Sequence, residues 1–189
     1  MKKFILILTI LVGFSLIFGV ERNTEVLNFI SKIYSPRNFK DGAVSDDIIR
    51  QILVAGHKAP SARNQQPWHF TVVQNKQVID QMMPNTNVNS GNVLIAVSGS
   101  TAPTAFNNDF DLALATQNMF IAAQALGLAA RMYAIPLANI NNNLLKTLRV
   151  PEGFKVYMVL RIGYEADGVD AVTAASPRAE LDTKVNFIR

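Results

Sequence analysis

The chain has 189 residues, 49% hydrophobic and 17% charged, with no cysteine and two histidines. That length suits one compact domain. The lack of cysteine excludes disulfides, thiolate catalysis and zinc ribbons, His57 and His69 do not make a metal site, and the net charge of +4 is spread without the basic cluster of a nucleic-acid binder.

The first twenty residues, MKKFILILTILVGFSLIFGV, place two lysines before an uncharged run from Phe4 to Val20. This is the pattern of a secretory signal or of a short membrane anchor, so residues 21–189 form the domain and 1–20 its leader. Lys2 and Lys3 stay cytoplasmic under the positive-inside rule, which puts the domain on the extracytoplasmic side with membrane contact only through the leader. If the segment is not a signal, the protein is cytoplasmic.

Beyond the leader, Val26, Phe29, Ile30 and Ile33 recur at helical spacing and predict a first helix, capped by Asn23 or Thr24. Pro36, Asp41 and Gly42 mark a loop. Ser45 caps a second helix whose first turn carries Asp46 and Asp47, with Ile48, Ile49, Ile52 and Leu53 inward and Pro60 as its stop. WHFTVVQ alternates and is β-branched, which predicts a strand; NKQVIDQMM predicts a short helix ended by Pro84. NVLIAVSG is an apolar run suited to a strand covered on both faces.

The longest predicted helix runs from about Asn107 to Leu126, is apolar on nearly all sides, and stops at Gly127. This composition predicts burial all round, with alanines allowing a close approach by another helix. PLANINNNLLKTLRV predicts a further helix, and FKVYMVLRIGY a strand ending at Gly163. The remainder is polar and loop-like until KVNFIR, Lys184 to Arg189. The whole reads as a single α+β domain.

Neither GxGxxG nor GxxxxGK[ST] occurs, so a phosphorylated cofactor would have to be held by side chains and helix ends. Ser35 and Arg37 in YSPRNF supply a hydroxyl and a guanidinium fork suited to phosphate. APSARNQQPWHF, residues 59–70, crowds hydrogen-bonding side chains before a tryptophan, as a loop folded against a flat polar ligand requires. Trp68 itself reads as a packing residue and Arg63 as solvent-facing.

In combination these elements resemble the nitroreductase family of FMN-dependent oxidoreductases. The family's APSxxNxQPWxF stands complete as Ala59, Pro60, Ser61, Asn64, Gln66, Pro67, Trp68 and Phe70. Its RRSxRxF stands in part as Ser35, Arg37 and Phe39. DLALATQNMFIAAQALGLAA, Asp111 to Ala130, matches a third element, and Gly163-Tyr164 followed by Pro177-Arg178 a fourth. The resemblance implies a nitroreductase-like fold, with a mixed or antiparallel central sheet flanked by helices. It also implies a domain-swapped homodimer in which the C-terminal arm adds a strand to the partner's sheet. It implies FMN as cofactor, held at the phosphate by Ser35, Arg37 and Arg178 and at the ribityl chain or ring edge by Pro60, Ser61 and Asn64. Gln66 reaches the ring or holds the loop. Arg131, Met132 and Tyr133 lie along the flavin with a main-chain amide near its reactive nitrogen.

The implied reaction is a ping-pong, two-electron reduction of nitro- or quinone-like small molecules by NAD(P)H. No side chain is assigned as a catalytic acid or base, and no metal. The arginine that precedes the family's serine is replaced by Ile33 or Tyr34, so a phosphate contact is lost or supplied by Lys32. The stretches that form lid helices in larger members are nearly absent between Met83 and Asn107, which implies an open site. An exported domain would meet little NAD(P)H, which leaves a membrane redox carrier as donor, or a flavin-binding carrier without nicotinamide-dependent turnover as the alternative.

Overall fold

The computed structural model describes residues 24–102, 108–168 and 176–189. The leader predicted at residues 1–20 lies outside them. Among the described residues no helix is long and apolar enough to cross a membrane.

In chain order the elements are α1 (Thr24–Lys32), β1 (Phe39–Lys40), α2 (Asp46–His57), β2 (His69–Val73), α3 (Lys76–Met82), β3 (Val93–Ser100), α4 (Asn108–Ala125), β4 (Ala129–Tyr133), α5 (Leu137–Asn143) and β5 (Phe154–Glu165), with 3-10 turns at Ala62–Asn64 and Leu181–Thr183. Local chemistry sets several of these limits. Ser45 accepts from the Ile48 amide to cap α2 (3.4 Å), and Asn75 accepts from the Val78 amide to cap α3 (3.1 Å). Gly127, at φ 79, ends α4 by letting the Leu128 amide reach back to the Ala123 carbonyl at 3.0 Å.

Every strand pairing is antiparallel. β3 lies between β2 and β5, and the far edge of β5 is shared by β4, opposite residues 159–163, and β1, opposite Tyr164 and Glu165. Alternation along the strands divides the core in two. Val93, Ile95, Val97, Leu160 and Ile162 meet α2 and α4, while Leu94, Ala96, Val156 and Val159 meet α3 and α5. β3 is therefore sealed on both faces, as its apolar run requires, and each large residue there contributes about 1.5–3 kcal/mol by leaving water. Helices α2 and α4 approach closely at Gly56, where a Cβ would stand 2.6 Å from the Cγ of Met119.

The apolar stripe of α1 is exposed, with Val26, Leu27 and Ile30 at 50%, 63% and 46% exposure. Three expectations need correction, in α4, α5 and β5. Helix α4 buries one side only, through Leu112, Ala115, Met119 and Ala123, while Phe110 remains 65% exposed. The helix predicted from Pro136 shrinks to Leu137–Asn143, followed by turns. β5 runs two residues past Gly163, drawn on by pairing with a strand, β1, that was read as loop. Lys184–Arg189 is exposed and pairs with no described strand of its own chain.

Candidate functional site

The loop after α2 is the most constrained segment of the fold. Arg63 (φ 55), Asn64 (φ 55) and Gln66 (φ 48) all adopt left-handed backbone without being glycine. Such residues cost of order 1–3 kcal/mol each and persist only where their surroundings hold them. Here the hold is visible. The buried carboxylate of Asp111 accepts the Ala62 amide at 3.0 and 3.2 Å, the Ser61 hydroxyl accepts the Gln66 amide at 3.0 Å, and the Asn64 and Gln65 amides close onto the carbonyls of Ser61 and Ala62. Gln66 donates to Asn64 Oδ1 at 3.2 Å, so it braces the loop. Pro60, Asn64 and Gln66 are exposed and Ser61 is half-buried.

Directly after this loop, Trp68 is buried, stacks on Phe70 with the ring planes 6° apart, and donates its indole N–H to His57 Nδ1 at 3.1 Å. It is a packing residue that fixes where the loop leaves the core. An open groove of about 500 Å3 lies beside it, lined by His57, Gln66, Trp68 and His69 among others.

A second group gathers at the β1–β4 edge of the sheet. Arg131 Nη1 donates to the carbonyl of Pro36 at 3.2 Å, which ties β4 to the Ser35–Arg37 turn. The Arg131 guanidinium also lies over the Tyr133 ring at 5.4 Å. Arg131 and Tyr133 share the α3/α5 face, whereas Met132 points into the α2/α4 core, so Met132 can meet a ligand only through its main chain. β4 pairs only with β5 among the described strands, so its outer edge presents free main-chain donors and acceptors. Beside it, Met83–Thr86 and Tyr133, Ile135, Pro136 and Asn139 enclose a cavity of about 190 Å3.

The two groups do not meet within one chain. The loop is fastened to Asp111 at the start of α4, and the Tyr34 amide reaches Gln124 Oε1 (3.4 Å) near its end. Thirteen residues of α-helix separate those anchors, about 20 Å along the axis. Arg178 is exposed and belongs to neither group.

Two structural residues carried no assignment in the sequence reading. Asp111 is one of two carboxylates in the first turn of α4, with Asp109, and Arg161 is a lone charge within VYMVLRIGY. Arg161 is buried and bonded to Asn92, Asn89 and the Asn87 carbonyl. Burial pushes its guanidinium below the ordinary arginine value, and the nearby Tyr133 hydroxyl partly offsets this. Among the described residues, the ion pairs are Lys40–Asp167 and Lys76–Asp80, and no carboxylate is paired with Arg37, Arg131, Arg161 or Arg178. No group of three or more His, Cys, Asp or Glu is placed to hold a metal there either.

Residues 30–87 match the model of the Nitroreductase family. A protein of Archaeoglobus fulgidus, named "Putative NADH dehydrogenase/NAD(P)H nitroreductase", is 31% identical over 159 residues, 77% of this chain and 88% of that one. Among solved structures, a nitroreductase with bound FMN from Bacteroides fragilis superposes with a TM-score of 0.71 at 25% identity, covering 87% of this chain and 99% of the other. A protein from Desulfovibrio desulfuricans solved in complex with FMN gives a TM-score of 0.73 at 28% identity, with 87% and 96% covered.

Proposed function

Because the chain belongs to the nitroreductase family, we propose that it is an FMN-dependent oxidoreductase that passes two electrons from a donor such as NAD(P)H to nitro- or quinone-like small molecules. Its site is composite, formed where two protomers meet. The observation that carries this reading is the separation of the two residue groups by the length of α4. A loop of one protomer and the Ser35–Arg37 edge of its partner could then close on one ligand from opposite sides. The exposed apolar face of α1, Phe110, and the unpaired arm with Phe187 and Ile188 supply the surface for that association.

The donor set suits FMN. Ser35, Arg37 and Arg178 are exposed, and the two arginines have no carboxylate partner among the described residues, as a dianionic phosphate requires. The exposed amide of Asn64 and the loop backbone at Pro60 and Ser61 suit the carbonyls and hydroxyls of a flavin. The open edge of β4 along Arg131, Met132 and Tyr133 offers main-chain groups to the ring. When bound, FMN supplies the redox chemistry. The chain's part is to orient the ring, neutralise the phosphate and leave one face open to small substrates, consistent with the lack of a helix in the described residues between Met83 and Ala102. Residues 1–20 would export the domain or anchor it outside the cytoplasm, where a membrane redox carrier could replace NAD(P)H as donor.

The test is an absorption spectrum of the purified protein, followed by anaerobic addition of NADH. Flavin bands that bleach support nicotinamide-dependent turnover. Bands that bleach only with dithionite point to another donor. Protein that cannot be loaded with FMN refutes the reading.

A further inference from the structure

Arg131 and Arg161 stand directly opposite each other in the β4–β5 register. Like charges at such positions are destabilising, and neither has a carboxylate partner among the described residues. Arg161 is satisfied in another way. Its guanidinium donates to Asn92 Oδ1 at 2.9 and 2.8 Å, to Asn89 Oδ1 at 2.9 Å and to the Asn87 carbonyl at 3.3 Å, and it lies 4.0 Å from the centre of the Phe39 ring. All of these partners are neutral. They bury the charge without cancelling it.

Arg131 is only half-buried, and among the described residues its one hydrogen bond runs from Nη1 to the carbonyl of Pro36. Nε and Nη2 remain for another acceptor. Pro36 lies between Ser35 and Arg37, so this bond delivers a second guanidinium to the turn that carries the first. The carboxylate on the same edge, Glu165, accepts from the Tyr34 hydroxyl. Lys32, the cation expected to replace the missing arginine, lines a different cleft, with Phe29, Ile33, Gln124 and Glu165 and without Ser35, Arg37 or Arg131.

We propose that Arg131 binds the phosphate of FMN through its side chain, standing in for the arginine that Ile33 or Tyr34 displaces from the motif, with Arg161 behind it adding to the positive field. This rests on the flavin reading above and adds a specific residue to it. A bound dianion would also offset the repulsion between the two arginines, which have no carboxylate partner among the described residues.

Comparing FMN with riboflavin, which lacks the phosphate, isolates the claim. Affinities of both are measured by flavin fluorescence quenching on the purified full chain, on Arg131→Gln and on Arg131→Lys, together with the midpoint potential of the bound flavin. Arg131→Gln should lower FMN affinity at least about tenfold, the scale of a charge-assisted hydrogen bond, with riboflavin affinity and midpoint potential unchanged. Arg131→Lys keeps the charge but loses the fork, and should lower the preference for FMN by about threefold or more. If Arg131→Gln does not fold, the lysine variant decides alone. Equal losses for the two flavins, an unchanged preference, or a shifted potential with the preference intact would each overturn the proposal. A wild-type chain that binds neither flavin would overturn the flavin reading itself, a result distinguishable from the others.

Discussion

Both carboxylate oxygens of Asp111 accept the main-chain N–H of Ala62, at 3.0 and 3.2 Å, with the carboxylate 1% exposed. This pair couples the first turn of α4 to a loop that would not hold three left-handed residues unaided. Asp111→Ala strands a buried N–H and should cost about 1–3 kcal/mol in urea unfolding. Asp111→Asn, which keeps one acceptor, should cost less. Equal stability in all three proteins would mean that the loop is held by its own bonds alone.

His57 and Trp68 give a second lever on the same loop. Trp68 is the only tryptophan, so its emission reports this position without interference. In His57→Ala the indole N–H loses its acceptor. The expected outcome is a red-shifted emission and a stability loss of about 1–2 kcal/mol, read by fluorescence-monitored denaturation. An emission maximum identical to wild type would contradict it.

Gly91 adopts φ +77, and a Cβ there would sit 2.6 Å from the backbone of Gly42 and Ala43. Backbone atoms cannot swing aside as a flexible side chain can. Gly91→Ala should therefore destabilise the protein by at least about 2 kcal/mol, combining overpacking with a strained dihedral. Thermal denaturation monitored by circular dichroism checks this directly.

Arg37 is exposed beside Ser35, with no ion pair among the described residues. Arg37→Ala should weaken FMN binding by about 1.5–3 kcal/mol, a charge-assisted contact, while leaving the unfolding midpoint in place. Titration of the variant with FMN gives the answer, and wild-type affinity would remove Arg37 from the site.

The stripe on α1 tests the composite site. Leu27→Glu combined with Ile30→Glu places two charges on a face that is already solvent-exposed within one chain. A monomeric protein should tolerate them. A dimer built on this face should dissociate and lose FMN together, as light scattering coupled to size-exclusion chromatography and the flavin spectrum would record. A variant that remains dimeric and yellow would place the interface elsewhere.

Much of this fold was legible in the residues because the relevant physics is local. Ser45 and Asn75 cap the helices that follow them, Gly127 ends α4 by adopting a φ that other residues avoid, and the sealed strand β3 announces itself as an unbroken apolar run. The motif in residues 59–70 likewise marked the loop that carries the strain. Tertiary structure alone decided what depends on distant partners. Nothing near Asp111 in sequence says that its carboxylate will hold Ala62, 49 residues away, or that Arg131 will face Arg161 across a strand pair. The same limit explains α1 and α4, whose apolar residues fixed the helices but not what covers them. Periodicity states which side chains share a face; only the packing of remote elements determines whether that face is filled by the same chain.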